Sequence, residues 1–140
     1  HPRILFRGKL DTLEAELILA QLAAPEMQGQ LGEILELARK LIRCDVMNEP
    51  VPEEKLCGLT MQEQRSRSHR PQDYYGQVHF MPEVTDGPVV LHLNRCRTAA
   101  RAAELKAVAA FPSGREDLLR AFNRLSSFLY LVMIQLKKEV

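Results

Sequence analysis

LHLNRCRTAARAAELKAVAAF, residues 91–111, carries charge where a helix of this composition has no structural need of it. At about 100° per residue, Arg97, Arg101 and Glu104 fall within roughly 60° of one another on one helical face. Beside them runs a stripe of small and apolar residues, Leu93, Cys96, Ala100, Ala103 and Ala107. Small side chains let a second helix come close, so the stripe predicts a packed face with guanidinium groups along its edge. Two cations and one anion at a half-covered edge need partners. One answer is an i, i+3 surface pair between Arg101 and Glu104, worth about 0.2–0.5 kcal/mol; the other is an anionic ligand.

The stretch REDLLRAFNRLSSFLYLVMIQLKK, residues 115–138, bears on that choice. Leu118, Phe122, Leu125, Leu129, Val132, Met133 and Leu136 recur at helical spacing and predict a broad buried face. Asn123, Ser126, Ser127 and Tyr130 gather on one side of the same helix. Neutral hydrogen-bonding groups are costly to bury without partners, so they make either a polar helix contact or a wall of a polar pocket.

Outward from these two helices, Leu10, Leu13, Leu17, Ala20 and Ala24 predict a first helix ended by Pro25, with the basic residues 1–9 as its lead-in. Asp11 is expected in the first turn, where the helix dipole favours a carboxylate. Leu31, Ile34, Leu35, Ala38, Leu41 and Ile42 predict a second helix over about residues 28–47. Between residues 48 and 88, Pro50, Pro52, Pro71, Pro82 and Pro88 with Gly58, Gly76 and Gly87 break the chain repeatedly. One short helix, MQEQRSRSH, is expected there after Thr60 as N-cap, and QVHFM (residues 77–81) alternates weakly enough to be extended. So long a connection in a helical domain suggests a lid or a subunit contact. The sum is an all-α bundle of four long helices, one short helix and a long irregular connection, with no repeat and almost no strand.

The 140 residues fit a single domain, 1–140, and 46% hydrophobic residues supply a core, although tryptophan is absent and aromatic residues make up only 6%. A net charge of +1 argues against a domain that coats nucleic acid or an anionic membrane. No apolar run is long enough to span a bilayer. The chain starts at His1 rather than Met and is expected to be a fragment of a longer protein. Cys44, Cys57 and Cys96 are odd in number and far apart, which points to reduced thiols in a cytoplasmic protein. Cys57, His69, His79 and His92 have no standard metal-ligand spacing, so no metal site is assigned.

RTAARAAE (residues 97–104) followed by NRLSS (residues 123–127) resembles the paired signature of ATP:cob(I)alamin adenosyltransferases of the five-helix-bundle type. RGKLDTLEAEL (residues 7–17) is similar to the segment that opens that family's first helix. LGEILELARKLIRCDVMNEPV, SHRPQDYY and VHFMPE resemble the middle region of the ethanolamine-utilisation branch. The likeness covers nearly the whole chain, so residues 1–140 are expected to be the adenosyltransferase core. Residues 1–140 hold neither the Gly- and Thr-rich phosphate loop of the commoner branch nor the His and Cys metal motif of the ethanolamine branch's N-terminal extension.

The resemblance implies transfer of the 5′-deoxyadenosyl group of ATP to cob(I)alamin, with triphosphate leaving and Mg2+ or another divalent metal accompanying the nucleotide. It implies that Arg101 clamps the triphosphate, that Glu104 and Asn123 lie at the nucleotide and its metal, and that Ser126 accompanies them. By the same likeness Arg97 pairs with Asp11 across a subunit boundary in a homo-oligomer, a trimer before a dimer. Phe80 or Met81 would lie under the corrin, where an apolar side chain displaces the lower cobalt ligand. Arg7 and Lys9 either add charge near the phosphates or are simply solvated. The competing reading is a non-catalytic helical interaction module, or one that binds nucleotide or corrinoid without turnover.

Overall fold

The computed structural model of the chain describes residues 1–138 and holds six α-helices: α1 (Pro2–Ala23), α2 (Gln28–Val46), α3 (Met61–His69), α4 (Pro71–Tyr75), α5 (Gly87–Ala110) and α6 (Glu116–Lys138). Short 3-10 turns at Pro25–Met27 and Val84–Asp86 lead into α2 and α5. The four long helices close into a ring in which α1 touches α2 and α5, and α6 touches α5 and α2. Neighbours run antiparallel. Phe6, near the start of α1, meets Phe111 beyond the end of α5 with ring centroids 5.4 Å apart, whereas Glu16 meets Arg95 near the start of α5 at 3.1 Å. Gln30, at the start of α2, bonds Gln135 near the end of α6.

The apolar periodicities close this ring. Leu10, Leu13, Leu17 and Ala20 of α1, the small stripe of α5 and the seven predicted positions of α6 are all buried. Because α5 presents Ala100, Ala103 and Ala107 inward, α1 and α6 both approach it closely. Phe128, Leu131 and Ile134 of α6 are buried as well. They lie outside the predicted stripe, and α3 and α4 pack on α6 and leave it little solvent-facing surface.

Two expectations need correction. The first helix begins at Pro2, with His1 Nδ1 accepting from the Arg3 amide at 3.1 Å, so the basic lead-in is helical. Asp11 therefore sits in mid-helix, exposed to solvent, and caps nothing. What holds these early turns in helix is remote in sequence: Arg3 and Arg7 converge on the fully buried carboxylate of Asp45 at the end of α2. The long connection, in turn, contains two short helices rather than one. The first is capped as its sequence predicts, by a reciprocal pair in which Thr60 Oγ accepts from the Glu63 amide and Glu63 accepts from the Thr60 amide. Residues 77–81 form no strand; the one ladder contact among the described residues is an isolated bridge between Leu56 and Leu59.

Arg124 fastens this connection to the bundle. Although only 8% exposed, its guanidinium donates to the Gln64 side chain at 2.9 Å and to the carbonyls of Glu54 and Leu59 at 2.8 and 3.0 Å. Gln64 returns a bond to the Arg124 carbonyl at 3.1 Å. Asp117 at the start of α6 accepts from the Val51 amide and from Arg115; against the opposing effect of desolvation, these bonds hold its carboxyl down at about 2.

Candidate functional site

Three elements meet at one open depression of about 380 Å3. Helix α5 brings Arg97 and Arg101, α6 brings Ser126, Ser127 and Tyr130, and the non-helical segment before α5 brings Phe80, Met81 and Pro82. Most of the residues singled out in the sequence thus converge on one surface, although Phe80 and Arg97 lie far apart along the chain.

The edge of α5 is half solvated. Arg101 donates to Glu104 Oε1 at 3.0 Å with its side chain 52% exposed, so the i, i+3 pair expected from spacing is formed. Glu104, 13% exposed, also accepts from Asn123 Nδ2 at 3.3 Å and so links α5 to α6. Arg97 donates to Asn94 Oδ1 at 2.9 Å. Asp11 makes no ion pair with Arg97 within the protomer. Ser126 is buried and donates to the Asn123 carbonyl at 3.2 Å, while Ser127 bonds Ser68 of α3 at 3.1 Å.

Tyr130 shapes the apolar rim. Its hydroxyl accepts from the Phe80 amide at 2.8 Å and donates to the Phe80 carbonyl at 3.0 Å, using both capacities of one group on one residue's backbone. Its ring stacks on those of His79 and Phe80, with centroids 5.7 and 5.9 Å apart. One turn-pair further along α6, Lys137 lies 4.3 Å from the Phe80 ring centroid and bonds Asp86 at 2.8 Å. That bond, with the Glu83 amide, lowers the Asp86 carboxyl pKa. Phe80 is half-buried by this clamp, whereas Met81 is 85% exposed. Tyr130→Phe keeps the ring and removes both bonds, and it is expected to speed amide exchange in residues 78–81 by about tenfold. Unchanged exchange, measured by mass spectrometry, would show that something else holds Phe80.

Among the described residues, no three His, Cys, Asp or Glu side chains come together as a metal site. His92 faces Glu16, His79 stacks on Tyr130, and Cys57 Sγ contacts the Gln30 carbonyl. Burial pushes the thiols of Cys57 and Cys96 up to about 12, and neither is a ready nucleophile. A narrower groove of about 120 Å3 between α2 and α6 is lined by Glu33, Glu36, Glu53, Glu54 and Asp117 among its cations and is a poor seat for a polyanion. Sequence reasoning missed Tyr130 as a backbone clamp and Arg124 as an anchor. The polar cluster on α6 signalled the first, and the NRLSS segment contained the second.

The family model for cobalamin adenosyltransferases matches residues 1–136. Corrinoid adenosyltransferase EutT of Salmonella typhimurium is 34% identical over 139 residues, which cover 95% of this chain and 52% of that protein. Its namesake from Escherichia coli K12 is 33% identical over the same extent. The chain thus spans about half the length of the curated relatives it matches. No solved structure matches it. With a family match over almost every residue, and with Arg97, Arg101, Ser126 and Ser127 of the signature at one depression, this chain belongs to the cobalamin adenosyltransferase family.

Proposed function

We propose that the protein transfers the 5′-deoxyadenosyl group of ATP to cob(I)alamin in the cytoplasm, in the service of ethanolamine utilisation. The observation that carries this reading is the meeting of Arg97 and Arg101 with a hydroxyl-lined stretch of α6 and the apolar Phe80–Pro82 rim. The reduced cobalt attacks C5′ with its own electron pair; a Co–C bond forms, the C5′–O bond breaks, and triphosphate departs with the bonding electrons. Such a nucleophile needs no activated serine, cysteine or histidine. The protein's tasks are to align C5′ with cobalt, to meet charge on the leaving triphosphate and to exclude water.

Arg101 meets the triphosphate, exchanging its bond to Glu104 for bonds to phosphate oxygens, which a guanidinium fork matches well. Glu104 and Asn123, already bonded to one another, hold the nucleotide, and Ser126 supports Asn123 through its carbonyl. Glu104 is the one carboxylate of this network. It suits a hydrated Mg2+ carried by the phosphates, an ion that takes one or two protein carboxylates. Phe80, held by Tyr130, lies against the corrin; the exposed Met81 is its neighbour at the rim.

We place this site at a boundary between copies, a trimer being the first choice and a dimer the second. Ile4, Ile18 and Leu22, 65%, 48% and 77% exposed, share the outer face of α1 with Asp11, and Leu105 and Val108 flank Arg101 on the outer face of α5. Apolar stripes on two outer faces, each bordering one member of the Asp11 and Arg97 pair, suit burial against another subunit.

Full-length protein given MgATP and chemically reduced cobalamin is expected to consume the Co(I) absorbance and yield adenosylcobalamin, and to sediment as an oligomer. MgATP is also expected to raise its melting temperature. Stabilisation by MgATP without product would leave a carrier, and neither effect a helical interaction module.

A further inference from the structure

Beyond Ser127 and Asn123, the depression is continued by a recess of about 400 Å3 between α3 and α6, and among the described residues no carboxylate lines it. Its cations are Arg65 from α3 and Arg120 and Arg124 from α6; Gln64, Ser68, His69, Asn123 and Ser127 add further hydrogen-bonding groups. Such a concentration is unusual in a chain whose net charge is +1. Most of its arginines are already engaged by carboxylates, as Arg3, Arg7, Arg39, Arg95 and Arg115 are. Arg43, Arg65 and Arg120 make no ion pair or side-chain hydrogen bond among the described residues, and two of those three open onto this recess. Arg120 stands on the ridge towards the carboxylate-lined groove, yet it pairs with none of Glu53, Glu54 and Asp117.

Arg124 supplies an independent argument. All its bonds go to carbonyls and to an amide oxygen, so its buried charge is bonded to no anion, and desolvation lowers its pKa against a weaker opposing effect of Glu53. A buried cation lacking a counterion is stabilised by any anion seated beside it. The register of α6 adds direction. Tyr130, Ser127, Asn123 and Arg120 follow one another at helical spacing along one stripe, about 15 Å from end to end, comparable with an extended nucleoside triphosphate. The Arg101, Glu104 and Asn123 bonds join the two cavities along that path.

We propose that this recess, built from Arg65, His69, Arg120, Asn123 and Ser127, is a seat for condensed phosphate. It holds the outer phosphates of a bound nucleoside triphosphate and, after transfer, the released inorganic triphosphate. The nucleotide part rests on the adenosyltransferase reading, whereas the affinity for condensed phosphate does not.

Calorimetric titration of the full-length protein with inorganic tripolyphosphate, ATP and adenosine tests the seat without turnover. Wild-type protein is expected to bind tripolyphosphate, and Arg65→Gln/Arg120→Gln to weaken it and ATP by about tenfold or more while adenosine binding stays unchanged. Arg43→Gln, which removes one likewise unpaired charge on α2, is expected to leave all three unchanged. No tripolyphosphate binding by the wild type, an unaltered affinity in the double variant, or an equal loss in Arg43→Gln would each overturn the seat. Failure of the seat with adenosylcobalamin still formed leaves the enzyme reading intact. Loss of tripolyphosphate binding in the double variant of a protein that makes no adenosylcobalamin upholds the seat and removes the enzyme.

Discussion

Arg101→Ala is expected to lower kcat for adenosylcobalamin formation by about 10²–10³-fold while shifting the melting temperature very little. The two halves of this result have different causes. With its side chain 52% exposed and one i, i+3 bond to Glu104, Arg101 contributes only about 0.2–0.5 kcal/mol to the fold. Glu104 keeps its Asn123 partner when the arginine is gone. In the proposed transfer, however, negative charge accumulates on the leaving triphosphate oxygen, and a guanidinium in the role proposed for Arg101 does more in the transition state than in the ground state. The change is therefore expected mainly in kcat, with KM for MgATP rising less. Stopped-flow loss of the Co(I) spectrum at saturating MgATP separates the two. A raised KM with kcat intact would mean that Arg101 merely holds the triphosphate throughout. Arg101→Lys, which retains the charge but loses the planar fork, is expected to fall between the two.

The bundle was legible because its faces are written in local periodicity. The stripe of Leu93, Cys96, Ala100, Ala103 and Ala107 and the apolar face of α6 are each a property of one helix, and both are buried as the spacing requires. So is the Thr60 capping box, whose two partners are three residues apart. Arg97, Arg101, Ser126 and Phe80 were legible through their likeness to a family signature, and the fold brings them to one depression. What escaped is long-range and polar. Residues 1–9 look like a solvated basic lead-in until Asp45, around forty residues later, is placed between Arg3 and Arg7. Asp11 was misplaced at a helix start for the same reason. Arg124 reads as one more surface arginine in NRLSS; only the packed connection shows that three of its donors have acceptors there, two of them buried. Tyr130 reads as a polar group in search of a partner, but that partner is the backbone of Phe80, fifty residues away, which no side-chain pattern encodes.

The Arg3→Ala/Arg7→Ala double variant is expected to destabilise the fold by about 3–5 kcal/mol, and more than Asp45→Ala does. Asp45 is fully buried, and among the described residues its two carboxylate oxygens are met by those two guanidiniums alone: Arg3 Nε at 3.0 Å on one and Arg7 Nε at 2.6 Å on the other. Removing both arginines strands an anion where water does not reach. Removing Asp45 instead frees two guanidiniums that are already 41% and 34% exposed, and these turn outward to solvent at small cost. The ordering of the two variants, more than either value, diagnoses a buried carboxylate, and urea unfolding midpoints measure it directly. The consequence extends to the proposed subunit boundary, because this clamp holds the start of α1, and with it Ile4 and Asp11, against the end of α2. Sedimentation of the double variant under conditions where it remains folded is therefore expected to show weakened assembly. Equal midpoints for the two variants would show that water reaches Asp45, and the early turns of α1 would then need another anchor.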